Sequence, residues 1–120
     1  MLGHLLCVYN DVLPLLGEKP TMTKDALKPY ARGSAPLTKA EDAMQLSHLP
    51  AALDQASASF EAGVTKLAPE MLDRPAPASP RNNVQETVRS LLGLISFHQA
   101  YHAGQLGVLR RLAGKGGALA

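Results

Sequence analysis

FHQAYHAGQLGVLRRLAGK, from Phe97 to Lys115, is the stretch whose reading decides the fold. With the residues just ahead of it, it places Leu91, Ile95, Leu109 and Leu112 on one stripe of a helix and shows no strand-like alternation. His98, His102 and Gln105 interrupt that stripe at consecutive turns, and polar groups in such a place cost free energy unless something inside satisfies them. His98 and His102 are four apart, so their rings project from one face and are able to share a metal ion. A histidine pair at this spacing also arises often by chance, and two ligands are not a site. His4, on a mostly apolar opening segment, is the candidate third. Three imidazoles leave coordination positions open for water or substrate, the arrangement of a catalytic zinc centre. His48 stands beside Pro50 near a helix start and reads as a surface or capping residue.

Working outward, Asn83 with Glu86 predicts the start of the last helix, which should run to Ala113 before Gly114 ends it. The first helix is expected from Leu2 to Leu16, with Leu2, Leu5, Leu6, Tyr9, Val12, Leu13 and Leu16 on its buried face, Pro14 bending its last turn and Gly17 stopping it. At 1.5 Å per residue these helices would be roughly 45 Å and about 22 Å long, so the short one cannot cover the long one. A partner chain or a further helix should fill the gap. Between them, Glu18 to Leu37 carries three prolines and Gly33, and reads as a lid or a surface crossover. Thr38 with Glu41 fits a capping box for a short helix. Pro50 suits the first turn of a longer helix extending to Leu67, with Leu53, Ala56, Phe60, Val64 and Leu67 as its stripe. RPAPASPRNN, from Arg74 to Asn83, is a linker by composition. The reading is therefore an all-α chain: a helical bundle domain over residues 1–114 with three main helices, then a flexible tail over 115–120.

Composition narrows the function. The 120 residues carry 12 Lys and Arg against 10 Asp and Glu, a net charge of +2, with two Phe, three Tyr and no Trp. Interspersed charge and scarce aromatics speak against nucleic acid. The opening MLGHLLCVYNDVLPLLG lacks the cationic start of a signal peptide and is broken by Asn10 and Asp11, and no apolar run reaches the ~18 residues of a membrane span. A single cysteine, Cys7, forms no internal bridge, so a reducing, cytoplasmic setting is expected.

The H-x-x-x-H-x-G-Q-L pattern of His98, His102, Gly104, Gln105 and Leu106 resembles the C-terminal signature of the DinB/YfiT-like superfamily. The opening LGHLLCVYNDVLPLLG resembles that family's ligand-bearing second helix, with His4 at the ligand position, and the likeness extends through YARGSAP and the third helix. The resemblance implies an antiparallel four-helix bundle whose three histidines bind a divalent metal, here His4, His98 and His102. Zinc or nickel is expected first, with iron and manganese compatible. It further implies thiol-dependent S-transfer, with a low-molecular-weight thiol as cofactor, or a hydrolase-like role. Relatives carry a further long helix ahead of the first ligand. The chain is expected to be a fragment, an internal-start product, or a short member completing its bundle as a homodimer.

Asp11, two turns after His4, and Gln105 are candidate outer partners of the ligands or of bound water, although Asp11 reads more readily as a solvated surface residue. Tyr101 is turned about 100° from His102 and reads as packing. Cys7 reads as a buried, inert thiol, and Arg110 and Arg111 as partners of the helix dipole. Two functions of different class remain: a metal-dependent transferase or hydrolase, and a non-catalytic, self-associating bundle that binds metal or protein partners.

Overall fold

The computed structural model describes residues 1–117. It is all-α: α1 spans Leu2–Val12, α2 Lys24–Leu27, α3 Leu49–Lys66 and α4 Val88–Leu112, with short 3-10 turns between. Three of these are long, as expected. No strand occurs among the described residues, and none of their helices is long and apolar enough to cross a membrane. The tail expected over 115–120 falls partly on 118–120, which lie outside the described residues. The chain divides into two compact units, Met1–Met71 and the residues from Leu72 onward.

In the first unit α1 buries Leu5, Leu6, Tyr9 and Val12, and the adjoining Leu13 and Leu16 continue the face. The helix tightens to 3-10 geometry over Leu13–Leu16, because Pro14 has no N–H to give the Asn10 carbonyl. Gly17, at φ 74°, then ends it in the left-handed conformation that glycine adopts without cost. Asn10 is 5% exposed and fully used. Its Nδ2 donates to the Leu6 carbonyl (2.8 Å), while Oδ1 accepts from the Thr21 N–H (2.7 Å) and the Met22 N–H (3.0 Å), tying the departing chain back onto α1.

α3 buries Leu49, Ala56 and Gly63, seven residues apart, so its tightest face is narrower and smaller than the expected stripe. Ala56 belongs to both; Leu53, Phe60, Val64 and Leu67 are half-buried. Phe60 meets Tyr9 edge to face at 5.3 Å, Gly63 lies against Leu16, and Lys66 Nζ contacts Glu18 at 2.7 Å. These contacts ascend α1 and α3 together. The two neighbours therefore run parallel rather than antiparallel, and the chain between them must return their full length. The segment after Gly17 is that crossover. It is not structureless: Thr23 caps α2 by accepting from the Ala26 N–H, and Leu27 is buried. The capping box expected at Thr38 and Glu41 does not form. A single 3-10 turn, Ala40–Asp42, occupies the place without a side-chain cap, and Glu41 instead pairs with Lys39 at the surface.

In the second unit the proline-rich linker is pinned to the start of α4. Pro75 bridges Thr87, and the carbonyls of Arg74 and Leu72 accept from the N–H groups of Val88 and Arg89, which the helix itself leaves without acceptors. The cap is Thr87, which forms a capping box with Ser90, so the helix starts later than Asn83 and Glu86 predict. Asn83 makes a turn by accepting from the Gln85 N–H. Glu86, 2% exposed, accepts from Ser90, Arg81 and Ser79. Those hydrogen bonds, Ser90's foremost, hold its carboxyl down to about 2 from the ordinary 4.5. α4 is 25 residues long and buries Val88, Leu91 and Ile95 in its first turns. Leu109 and Leu112, expected on the same buried stripe, are exposed, as are Phe97, Tyr101 and Val108.

Two measurements test these contacts. A Cβ at Gly63 would stand 2.6 Å from Leu16 Cβ, whereas one at Gly93 meets nothing within 4 Å. Gly63→Ala should lower unfolding stability by about 1–3 kcal/mol and Gly93→Ala should raise it by roughly 0.5–1 kcal/mol in urea titrations. The depressed Glu86 carboxyl stabilises the fold above its ordinary pKa and loses that contribution as it takes up a proton. The stability advantage of wild type over Glu86→Gln should therefore be full above pH 4.5 and vanish toward pH 2.

Candidate metal centre

α4 sets His98 and His102 one turn apart, both half-buried. Their Nε2 atoms are 3.1 Å apart, and the rings meet edge to face with centroids 4.4 Å apart. His102 Nδ1 lies 2.7 Å from Gln105 Oε1. An amide oxygen only accepts, so Nδ1 carries the proton and Nε2 presents its lone pair toward His98. Two nitrogens each ~2.0–2.1 Å from one ion lie about 3.3 Å apart in a tetrahedron and about 2.9 Å apart at a right angle. The observed spacing falls between these limits. It also suits a hydrogen bond between the two imidazoles, with His98 Nε2–H donating to His102 Nε2.

His4 lies on α1, and its Nδ1 is 3.1 Å from the Tyr30 carbonyl. Nδ1–H donates there, which again assigns the lone pair to Nε2. Gly3 makes this arrangement fit, because a Cβ at that position would overlap the Tyr30 ring. The Tyr30 hydroxyl accepts from the Met44 N–H at 2.6 Å, anchoring the far side of the crossover. Tyr30 is the first residue of the YARGSAP stretch, and nothing in its local sequence marks this contact. An open cleft of about 500 Å³ lies beside His4, walled by Met1 and the segment from Pro29 to Leu37.

Among the remaining candidates, Asp11 is exposed and engages the Cys7 thiol, with Sγ 3.9 Å from Oδ2. Burial first, then the Asp11 charge and hydrogen bond, raise the Cys7 pKa, so the residue stays a protonated thiol rather than a nucleophile. His48 is the exposed N-terminal flank of α3 and makes no side-chain cap bond. Tyr101 stacks with Phe97 at 6.4 Å and meets the His102 ring edge-on at 5.5 Å. Arg110 closes the end of α4 by donating from Nε to the Gly116 carbonyl at 2.7 Å.

This is an all-helical chain bearing an oriented histidine pair suited to a metal ion. The model of the DinB superfamily matches residues 1–106, and the chain belongs to that superfamily. No curated protein and no solved structure matches it.

Gln105→Leu should release the His102 ring. Nitrogen-15 spectra of the imidazole should show the Nδ1–H tautomer losing its dominance, while Gln105→Glu, which keeps an acceptor, preserves it.

Proposed function

We propose that His4, His98 and His102 together hold one divalent metal ion, and that the protein is a metal-dependent enzyme of thiol S-transfer or hydrolysis. The observation that carries this reading is the His98 and His102 Nε2 pair at 3.1 Å, keyed by Gln105. Membership of the DinB superfamily supports it. So does the tautomer at His4, where the Tyr30 carbonyl fixes Nδ1 and leaves Nε2 as the ligand atom. Zinc or nickel suits an imidazole set, and iron and manganese are compatible. Such an ion supplies Lewis acidity, lowering the pKa of a bound water or low-molecular-weight thiol or polarising a carbonyl. The chain's own part is orientation: Gln105 and Tyr30 each hold an imidazole proton away from the ligand nitrogen. Asp11 is the weaker outer partner, because its carboxylate sits with Cys7. The unbridged thiol fits a cytoplasmic setting.

A second reading has its own observation. Phe97, Tyr101, Val108, Leu109 and Leu112 expose apolar surface along the latter part of α4, and such surface favours a partner. On this reading the protein is a non-catalytic module that self-associates as a homodimer.

Metal content by mass spectrometry, with molar mass by light scattering, tests both on untagged protein. Near-stoichiometric metal is expected in the intact chain and in His48→Ala, with a loss of at least tenfold in His102→Ala. Equal metal in the two variants overturns the site. Protein that stays metal-free when offered zinc or nickel, yet elutes as a dimer, moves the second reading ahead.

A further inference from the structure

α4 carries two faces. Leu91, Ile95, His98 and His102 share one, and about 120° round the helix Gly93, Phe97, Tyr101, Gly104, Val108 and Leu112 fall within an arc of about 100°. The large side chains of this second stripe are exposed, from 55% at Tyr101 to 79% at Leu112. Phe97 and Tyr101 stack at 6.4 Å and so present one continuous apolar surface. Steps of three and four residues make the kind of seam along which one helix packs on another. Glycine weakens a helix, yet a Cβ at Gly93 or Gly104 meets nothing within 4 Å. Packing among the described residues requires neither glycine, and each leaves a notch that a side chain of a neighbouring helix can enter.

Charge says which helix. After Glu86 the chain has no Asp or Glu, but it has Arg89, Arg110, Arg111 and Lys115. Arg89 pairs with Asp73, and Arg110 turns back to the Gly116 carbonyl. Arg111 lies at the edge of the stripe and Lys115 one turn beyond it; both are exposed, and neither joins an ion pair among the described residues. A helix laid antiparallel on the stripe brings its N-terminal turn to these two cations, where acidic side chains suit both the cations and that helix's own dipole. A second copy meets the need less well, because α4 against α4, in either direction, supplies no acidic side chain. We infer that the stripe of Phe97, Tyr101, Gly104, Val108 and Leu112 is a docking face for an amphipathic helix of another protein, one with acidic residues in its first turns. The inference goes beyond the metal reading and does not depend on it.

The test uses the full chain and two synthetic helices of about 20 residues, enough to span Phe97 to Leu112. Both carry the same leucine stripe; the first turns hold glutamate in one and glutamine in the other. By fluorescence anisotropy the glutamate peptide should bind about tenfold more tightly at about 0.05 M salt, and the difference should shrink at about 0.5 M. Arg111→Glu should remove the preference. Val108→Asp, which puts a charge in the middle of an exposed stripe, should weaken both peptides at least about tenfold while circular dichroism shows the helices retained. Equal binding of the two peptides to wild type, a preference that survives Arg111→Glu, or wild-type binding by Val108→Asp would each overturn the inference. So would either rival occupant. A dimer by light scattering that becomes a monomer in Val108→Asp identifies a second copy, and Val108-dependent binding to phosphatidylglycerol vesicles with none of the peptide preference identifies a lipid surface. On His102→Ala the titration should be unchanged, so the docking face and the metal site stand or fail separately.

Discussion

Two long helices that lie side by side and point the same way cannot be joined by a short turn, and this constraint shapes the first unit. The contacts from Tyr9 with Phe60 to Glu18 with Lys66 set α1 and α3 parallel, so the chain must travel back before α3 begins. A return of that length is costly to order unless it is pinned. Asn10 pins its first residues, and Tyr30 pins its middle through the Met44 N–H and by close approach to Gly3. The crossover is thereby fixed against α1 at the turn that carries His4. A connection that topology demands has become the wall of a cleft and the acceptor for a histidine proton.

The same economy recurs on α4. A histidine is useful as a ligand only when its tautomer is decided, and a neighbour that accepts from Nδ1 decides it. At His102 that neighbour is a side chain one turn onward; at His4 it is a backbone carbonyl 26 residues away in sequence. Local and long-range solutions produce one chemical result. They differ in vulnerability, because the first survives any change in the crossover, whereas the second depends on Gly3 and Tyr30 packing together.

What was legible in the sequence follows this division between local and distant. Apolar spacing exposed the three long helices, and the i, i+4 spacing of His98 and His102 with Gln105 one turn on exposed the pair and its partner, because a helix converts sequence offset directly into distance. The ends of helices were less legible. Asn83 with Glu86 and Thr38 with Glu41 both have the composition of capping boxes, but Thr87 with Ser90 lies closer to the apolar run of α4 and wins. Glu86 then serves as a buried acceptor. Asn10 looked like a break in a greasy segment, although its four hydrogen-bond contacts make it the anchor of the crossover. Tyr30 stands in the YARGSAP likeness, but its role has no local signal, since its importance lies in meeting Gly3 and Met44, which only the fold brings near.

The distribution of burial along α4 bears on function more than the helix's length does. Its first turns are secured by the Glu86 network and by Val88, Leu91 and Ile95, while most of the large apolar residues from Phe97 onward are exposed. His98 and His102 fall where that burial gives out, half-buried and beside the exposed Phe97 and Tyr101 pair. A fully buried pair would be closed to ligands, and a fully exposed one would lack the fixed ring geometry that the Gln105 contact requires. The intermediate position serves both needs. It also places the apolar surface next to the histidines, so whatever covers Phe97 and Tyr101 would also control access to the imidazoles. On the proposed readings, a partner that docked at this helix would therefore also bear on a metal held by the two histidines.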